Sequence, residues 1–380
     1  MAAKSSTFID VEKSIYEPTA SLSAAGSTVT KSVLHGGLSE GVDVIKVDNG
    51  KFSFIVLPTR GMNIWKAWTQ GDEIGWKSPV RGPVHPMFVP LNEPSGLGWL
   101  DGFDELLARC GLESNGAPEF DGEGRVKYPL HGRIGNKPAQ HVSASIDDES
   151  GEVTLTGVVE ESRFHFFKLR LTTVLKTRPG EAGFRLQDTV HNFSASDGEA
   201  QMLYHWNFGQ PLLDAGAQFV APLKTVVPRN EHAASGMATW NSYAGEQTGF
   251  EEQVYFMELL ADANDDSQVL LKNAHGTKGV SLAFNKRSLP CFTVWKNTTA
   301  APDGYVTGLE PGTNFPNPRS HEGKQGRVAR LPAGGSVTFH LSLQYLSDEK
   351  QVAAAEDAVK ALQGDTKPRI FESPQEGWCA

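Results

Sequence analysis

The chain is poor in cysteine. Cys110, Cys291 and Cys379 are its 3 among 380 residues. They are too few and too scattered for a disulfide framework or a zinc knuckle. It also has no run of Lys or Arg, and Asp+Glu total 45 against Lys+Arg 35, for a formal net charge of -10. That balance argues against nucleic acid as a partner and against a polybasic patch on a membrane. No apolar stretch approaches the ~20 residues of a membrane span. Met1 to Val11 carries Lys4 and Asp10 and no apolar run, so no secretory signal is expected and a cytoplasmic location follows by default. Asn192-Phe193-Ser194 and Asn297-Thr298-Thr299 then match glycosylation acceptors by accident.

Several catalytic signatures are missing as well. There is no Gly-x-Ser-x-Gly elbow, and His321-Glu322 has no second histidine one helical turn on. Gly96-Leu97-Gly98-Trp99-Leu100-Asp101-Gly102 lacks the last glycine spacing of a dinucleotide loop, and no strand–loop–helix unit surrounds it. No cofactor is expected. His131, His205 and Glu310 are the residue types of a metal set, but without a spacing signature no metal is expected either.

What is present reads as β structure. Hydrophobic residues make up 39% and charged residues 21%, ordinary for a protein with a large core. Residues 1–26 are polar and Ser/Ala-rich and read as a loose lead-in, leaving 27–380 as a single β-sandwich domain. Strands are expected over 28–34, 42–47 and 52–57, then over 140–146, 153–160, 163–176, 183–192 and 200–206. More follow over 218–221, 254–259, 268–272, 279–285, 291–295, 304–309 and 336–346. Many strands with Gly, Pro, Asn and Asp between them indicate an all-β sandwich. Between them, 78–135 is a long irregular segment rich in Gly and Pro, with a short helix expected over Phe103–Cys110. Long loops of this kind usually carry function, and Trp99, Phe103, Phe120 and Tyr128 argue against disorder. One helix closes the chain over 348–362, with Ser347 able to cap it and Gly364 to end it.

Tyr204-His205-Trp206-Asn207-Phe208-Gly209 places a histidine among aromatic rings where a strand gives way to a loop. Aromatic faces stack on the C–H face of a pyranose, and imidazole exchanges protons near neutral pH. A histidine satisfied within a β core reads equally well. Gly308-Leu309-Glu310-Pro311-Gly312 holds a carboxylate at a strand end beside a rigid loop, suited to general-base work or simply exposed. His131 stands among small neighbours in Pro129-Leu130-His131-Gly132-Arg133, and could also be a plain turn residue. Arg60, in Pro58-Thr59-Arg60-Gly61-Met62, could fork onto sugar hydroxyls or form a structural ion pair.

Taken together, Leu57–Asn63, the Gly98–Asn115 segment, Leu130–Ile134 and Gly308–Pro311 resemble the aldose 1-epimerase-like proteins, and within the galactose mutarotase-like superfamily the DUF4432 group. The likeness runs roughly from Thr28 to Leu346. It implies a galactose mutarotase-like β-supersandwich with a few short helices and a sugar site on a concave sheet face. It also implies roles: Glu310 resembles the base, His205 the acid and His131 a binding histidine, with Arg60 a partner. Trp206, Asn207, Trp295 and Asp101 complete the expected substrate contacts. The Asp101–Asn115 segment departs from the usual mutarotase pattern, and the asparagine-rich stretch beside the first histidine is reduced to Asn136. The activity implied is interconversion of sugar anomers by general acid/base catalysis. The same site would serve an epimerase, isomerase or lyase acting on a keto-sugar or sugar acid, and the same sandwich would serve non-catalytic carbohydrate binding. The expected partner is a small carbohydrate, with exposed sheet edges pairing into a homodimer.

Overall fold

The computed structural model describes residues 3–69 and 71–380. They form a ten-stranded sheet and a fourteen-stranded sheet, with a small two-stranded ribbon. This is the all-β sandwich expected from the sequence. The ten-stranded sheet shows the alternation of a sheet with one wet face. Val153–Ser162 and Lys168–Thr177 bury every second residue and expose or half-expose the others. Its inward side chains meet those of the larger sheet in one apolar core, in which Phe54 and Trp206 approach Phe184 at ring distances of 4.7 and 6.0 Å. A charged clasp crosses the same gap: Arg109 Nε lies 2.6 Å from Asp188 Oδ2, both fully buried, and Tyr204 donates to the same carboxylate.

The middle of the fourteen-stranded sheet is built differently. Leu107–Leu112 and Val306–Gly312 are buried at every residue, and Gly198–Phe208 from Ala200 onwards. A strand buried throughout has both faces covered. One face meets the other sheet. Over the other lies the Gly/Pro-rich segment of residues 78–135, which sends Trp99 and Phe103 into a second apolar cluster with Trp76, Ala108, Cys110 and Leu203. The site forms between this segment and the sheet.

Most expected strands are present with nearly the expected bounds, among them Gly279–Asn285 and Ser336–Leu346. The closing helix runs Glu349–Gln363. Its cap is Asp348, which accepts from Gln351 N at 2.8 Å, rather than Ser347. No helix among the described residues is long and apolar enough to cross a membrane.

Three expectations are corrected. The lead-in expected over 1–26 is not loose from residue 3 onward, residues 1–2 lying outside the described ones: Ala3–Asp10 pairs antiparallel with Ala139–Asp147, and Ala20–Ala24 pairs with Ser27–Val33. Its Ser and Thr residues are the outward half of a strand whose Phe8 and Ile9 enter the core. The helix expected over Phe103–Cys110 is irregular chain over 103–106, after a 3-10 turn at Gly98–Gly102, and then the strand Leu107–Leu112. A short apolar run has no period to distinguish helix from strand, and pairing with Gly198–Phe208 decides it. Finally, the strand expected from Arg163 begins only at Lys168. Residues 163–167 are the hairpin tip, closed by a hydrogen bond from Arg163 N to Phe167 O, with Phe164 and Phe166 in solvent.

Candidate active site

Strand alternation sets the site. On Gly198–Phe208, side chains at odd positions face the covering segment and those at even positions face the other sheet. His205 and Asn207 therefore share the site face, while Trp206 goes to the core. The register Leu203↔Gly312 and Trp206↔Leu309 puts His205 directly opposite Glu310. On its other side Glu310 is paired with Thr293. Both His205 and Glu310 lie inside their strands rather than at the ends, since these continue to Phe208 and Gly312.

His205 Nε2 faces Glu310 Oε1 across 3.2 Å, with both side chains almost wholly buried. The far ring nitrogen is fixed. Asn207 donates its amide N–H groups to the main-chain oxygens of Glu105 and His205, so its Oδ1 is left to accept from His205 Nδ1 at 2.6 Å. The Nδ1 proton is thus assigned by the neighbouring amide, and Nε2 is the atom free to gain or lose a proton. Burial pushes Glu310 well above the ordinary carboxylate range, helped by the negative charge of Glu252. Burial pushes His205 well below the ordinary imidazole range, helped by His131. The two shifts together hold one proton between the two groups.

His131 completes a triangle, its ring 5.2 Å from that of His205 and 4.6 Å from that of Trp99. It has φ 57 and is followed by Gly132 at φ 73. A β-carbon on residue 132 would collide with Ser114 O, so only glycine closes this turn. His131 Nδ1 donates to Asn115 O at 3.0 Å, leaving Nε2 as an acceptor, and burial lowers its pKa to about 4. Asn115 in turn exchanges two amide hydrogen bonds with Asn314, at 3.0 and 2.8 Å, and ties the His131 loop to the loop after Glu310.

These groups line a cavity of about 380 Å³, within the range of small-molecule sites. Trp99, Phe103 and Trp295 form its aromatic walls, and Thr293 its floor beside Glu310. At the mouth Arg229 lies 2.9 Å from Glu252 Oε1, while Glu252 Oε2 accepts from the Trp295 indole at 2.7 Å. Wider concavities of about 650 and 610 Å³ exist elsewhere, but neither brings together a buried acid and base.

Of the residues singled out in the sequence, the structure brings Glu310, His205, His131 and Trp295 onto this cavity, with Asn207 behind His205. It sends three elsewhere. Arg60 is buried under the site and committed: its guanidinium lies 2.7 Å from Glu105 Oε1 and donates to Val84 O, Gly102 O and Asn136 Oδ1. Trp206 is fully buried between the sheets, by alternation. Asp101, two residues beyond Trp99 on the 3-10 turn, is exposed, where its carboxylate keeps its water. His131, His205 and Glu310 do not form a metal-holding group. Sequence reasoning missed Thr293, Arg229 and Glu252, which carry no motif. It quoted Trp99 and Phe103 without assigning them to the site.

A family model described as a domain of unknown function, DUF4432, matches residues 39–345. The chain belongs to the DUF4432 family. This DUF4432 protein is similar over 98% of its length to a Klebsiella pneumoniae protein provisionally named an aldose 1-epimerase, at 37% identity over 99% of that chain and a TM-score of 0.95. It shares its fold with a galactose mutarotase-like protein from Clostridium acetobutylicum, with 14% identity, 84% and 98% of the two chains covered and a TM-score of 0.59. It also shares it with the galactose 1-epimerase of Lactobacillus acidophilus, with 11% identity, 86% and 100% covered and a TM-score of 0.54. No curated protein matches the DUF4432 chain. Its solved relatives support an enzyme family of the isomerase type.

Proposed function

We propose that the cavity binds an aldose in its ring form and interconverts its anomers, with Glu310 and His205 as the acid–base pair. One observation carries this reading: a buried carboxyl and a buried imidazole face each other across 3.2 Å at the floor of a cavity walled by aromatic rings. Ring opening needs two proton transfers at one carbon, away from the anomeric hydroxyl and onto the ring oxygen. An acid and a base side by side match two oxygens bonded to one atom.

Burial keeps the resting proton toward Glu310. Its transfer to His205 Nε2 gives a carboxylate and an imidazolium, steadied by Asn207 Oδ1 at Nδ1. Glu310 then takes the proton of the anomeric hydroxyl while His205 gives its proton to the ring oxygen, and the ring bond breaks. After rotation of the aldehyde the same atoms act in reverse on the other face. His131 Nε2 accepts from a sugar hydroxyl, and Trp99 and Trp295 offer faces for the C–H surface.

Anomer exchange followed by one-dimensional and saturation-transfer NMR over a sugar panel tests the proposal. Glu310→Gln and His205→Gln are each expected to lower the rate on the order of 10²–10⁴-fold. A Glu310→Gln protein that exchanged every accepted sugar at the wild-type rate would overturn it.

A further inference from the structure

Strand register sets His205 against Glu310, but His131 stands on a turn. Main-chain bonds hold the backbone of that turn: His131 N donates to Gly116 O at 2.9 Å, and Gly111 N to His131 O at 3.2 Å. The ring is held elsewhere. His131 Nδ1 donates to Asn115 O at 3.0 Å, so the place of that carbonyl decides which ring nitrogen carries the proton. The Asn115 side chain donates to Asn314 Oδ1 at 3.0 Å and accepts from Asn314 Nδ2 at 2.8 Å. Asn314 also accepts from the Thr313 hydroxyl at 2.8 Å and donates to Phe315 O at 2.7 Å. Its amide thus uses two accepted and two donated bonds, the full complement. Thr313 continues the tie. Its hydroxyl accepts from Met202 N at 3.0 Å, and its own N–H donates to Met202 O at 2.8 Å. Met202 belongs to the strand of His205, and Thr313 directly follows the strand of Glu310.

Both asparagines are fully buried, and neither lines the cavity. Apolar side chains of the same shape would fill that space at no loss of stability, because a buried hydrogen bond mostly offsets its own desolvation. What the amide pair adds is direction. Ala117 N donates to Pro316 O at 3.0 Å beside it, which keeps the two loops together without reaching the His131 ring. We infer that Asn115 and Asn314 are positioning residues, their paired amides holding the Asn115 carbonyl where it keeps the His131 proton on Nδ1 and presents Nε2 to a sugar hydroxyl beside Glu310 and His205. For what Nε2 meets this rests on the sugar reading of the same cavity; the hold on the ring does not.

The test uses the full chain labelled with nitrogen-15 histidine, as wild type, Asn314→Ala and Asn314→Asp. The aspartate variant keeps the two accepted bonds and loses both donated ones, so it serves where the alanine variant fails to fold. The imidazole spectrum is expected to show His131 as one tautomer in the wild type and as a mixture in either variant, with the His205 ring unchanged. Saturation-transfer NMR over the sugar panel, D-galactose and D-glucose among them, is expected to show KM raised on the order of 10-fold to 100-fold with kcat changed little. In a His131→Ala background, Asn314→Ala is expected to add no further change in KM. A His131 ring unmoved in a folded variant overturns the assignment, as does a loss confined to kcat or a KM effect that persists without His131. Failure of both variants to fold overturns it too, by making the pair a determinant of the fold alone. Rings that respond as expected in a protein that exchanges no sugar of the panel overturn the anomer reading and leave the positioning role standing.

Discussion

Gly308 and Glu310 stand on the same face of one strand, and a β-carbon built on residue 308 would lie 2.5 Å from Glu310 Oε1. It would also lie 3.1 Å from His205 Cε1 and 3.3 Å from Trp295 Cβ. The absence of a side chain here makes room for the acid–base contact. Gly308→Ala is expected to push the carboxylate off His205 and to lower kcat on the order of 10²-fold, with the cooperative thermal transition retained. Rate and Tm measured on one preparation check it: an active Gly308→Ala protein would show that the contact is dispensable.

Asn207 is expected to act through His205 alone. In Asn207→Ala nothing holds the proton on Nδ1, so the ring populates both tautomers and rotates. The expected outcome is a kcat lower on the order of 10–100-fold with KM changed little. A nitrogen-15 imidazole spectrum would show a fixed tautomer in the wild type and a mixture in the variant.

Arg60 separates two roles that its sequence context left open. Its guanidinium is buried and bonded to Glu105, Val84, Gly102 and Asn136. Arg60→Ala strands the Glu105 carboxylate under the site, and breaking such a buried pair typically costs on the order of 3–5 kcal/mol. Denaturant unfolding should show that loss. Sugar affinity extrapolated to the folded fraction should stay near wild type, whereas a pure KM defect at unchanged stability would restore Arg60 as a sugar ligand.

Asp104 supplies a pH signature of stability. Burial lifts its carboxyl to about 7, against a hydrogen bond from the Trp65 indole that works in the opposite direction. A group with a raised folded pKa binds more protons when folded. Its contribution is therefore fully present below the unfolded pKa of 3.8 and is lost as pH rises through about 7. Asp104→Asn should flatten the fall in stability between pH 4 and 8 by on the order of 2–4 kcal/mol. Unfolding midpoints across that range, variant against wild type, give the comparison; parallel curves would show that Asp104 does not titrate there.

The sandwich was legible because its strands obey a simple rule. Val153–Ser162 and Lys168–Thr177 alternate, and turn residues separate them. Leu107–Leu112 was not legible, because a strand covered on both faces loses its alternation and looks like any short apolar run. Glu310, His205 and His131 could be found because each sits in a short distinctive context and the likeness joins them. Arg60 was misplaced because an arginine after a strand looks the same whether it faces a ligand or a buried glutamate; only the partner, Glu105, decides. Thr293 and Glu252 owe their place to cross-strand register and to the mouth of the cavity, and neither leaves a trace in local sequence.

The alternation of His205 and Trp206 along one strand has an evolutionary corollary. A one-residue insertion or deletion within Gly198–Phe208 would trade the two, delivering an indole to the proposed reaction centre and an imidazole to the apolar interior. The outer wall at Leu97 and Leu100 lies off that strand and is not bound by its register. The spacing beneath it has to be inherited intact.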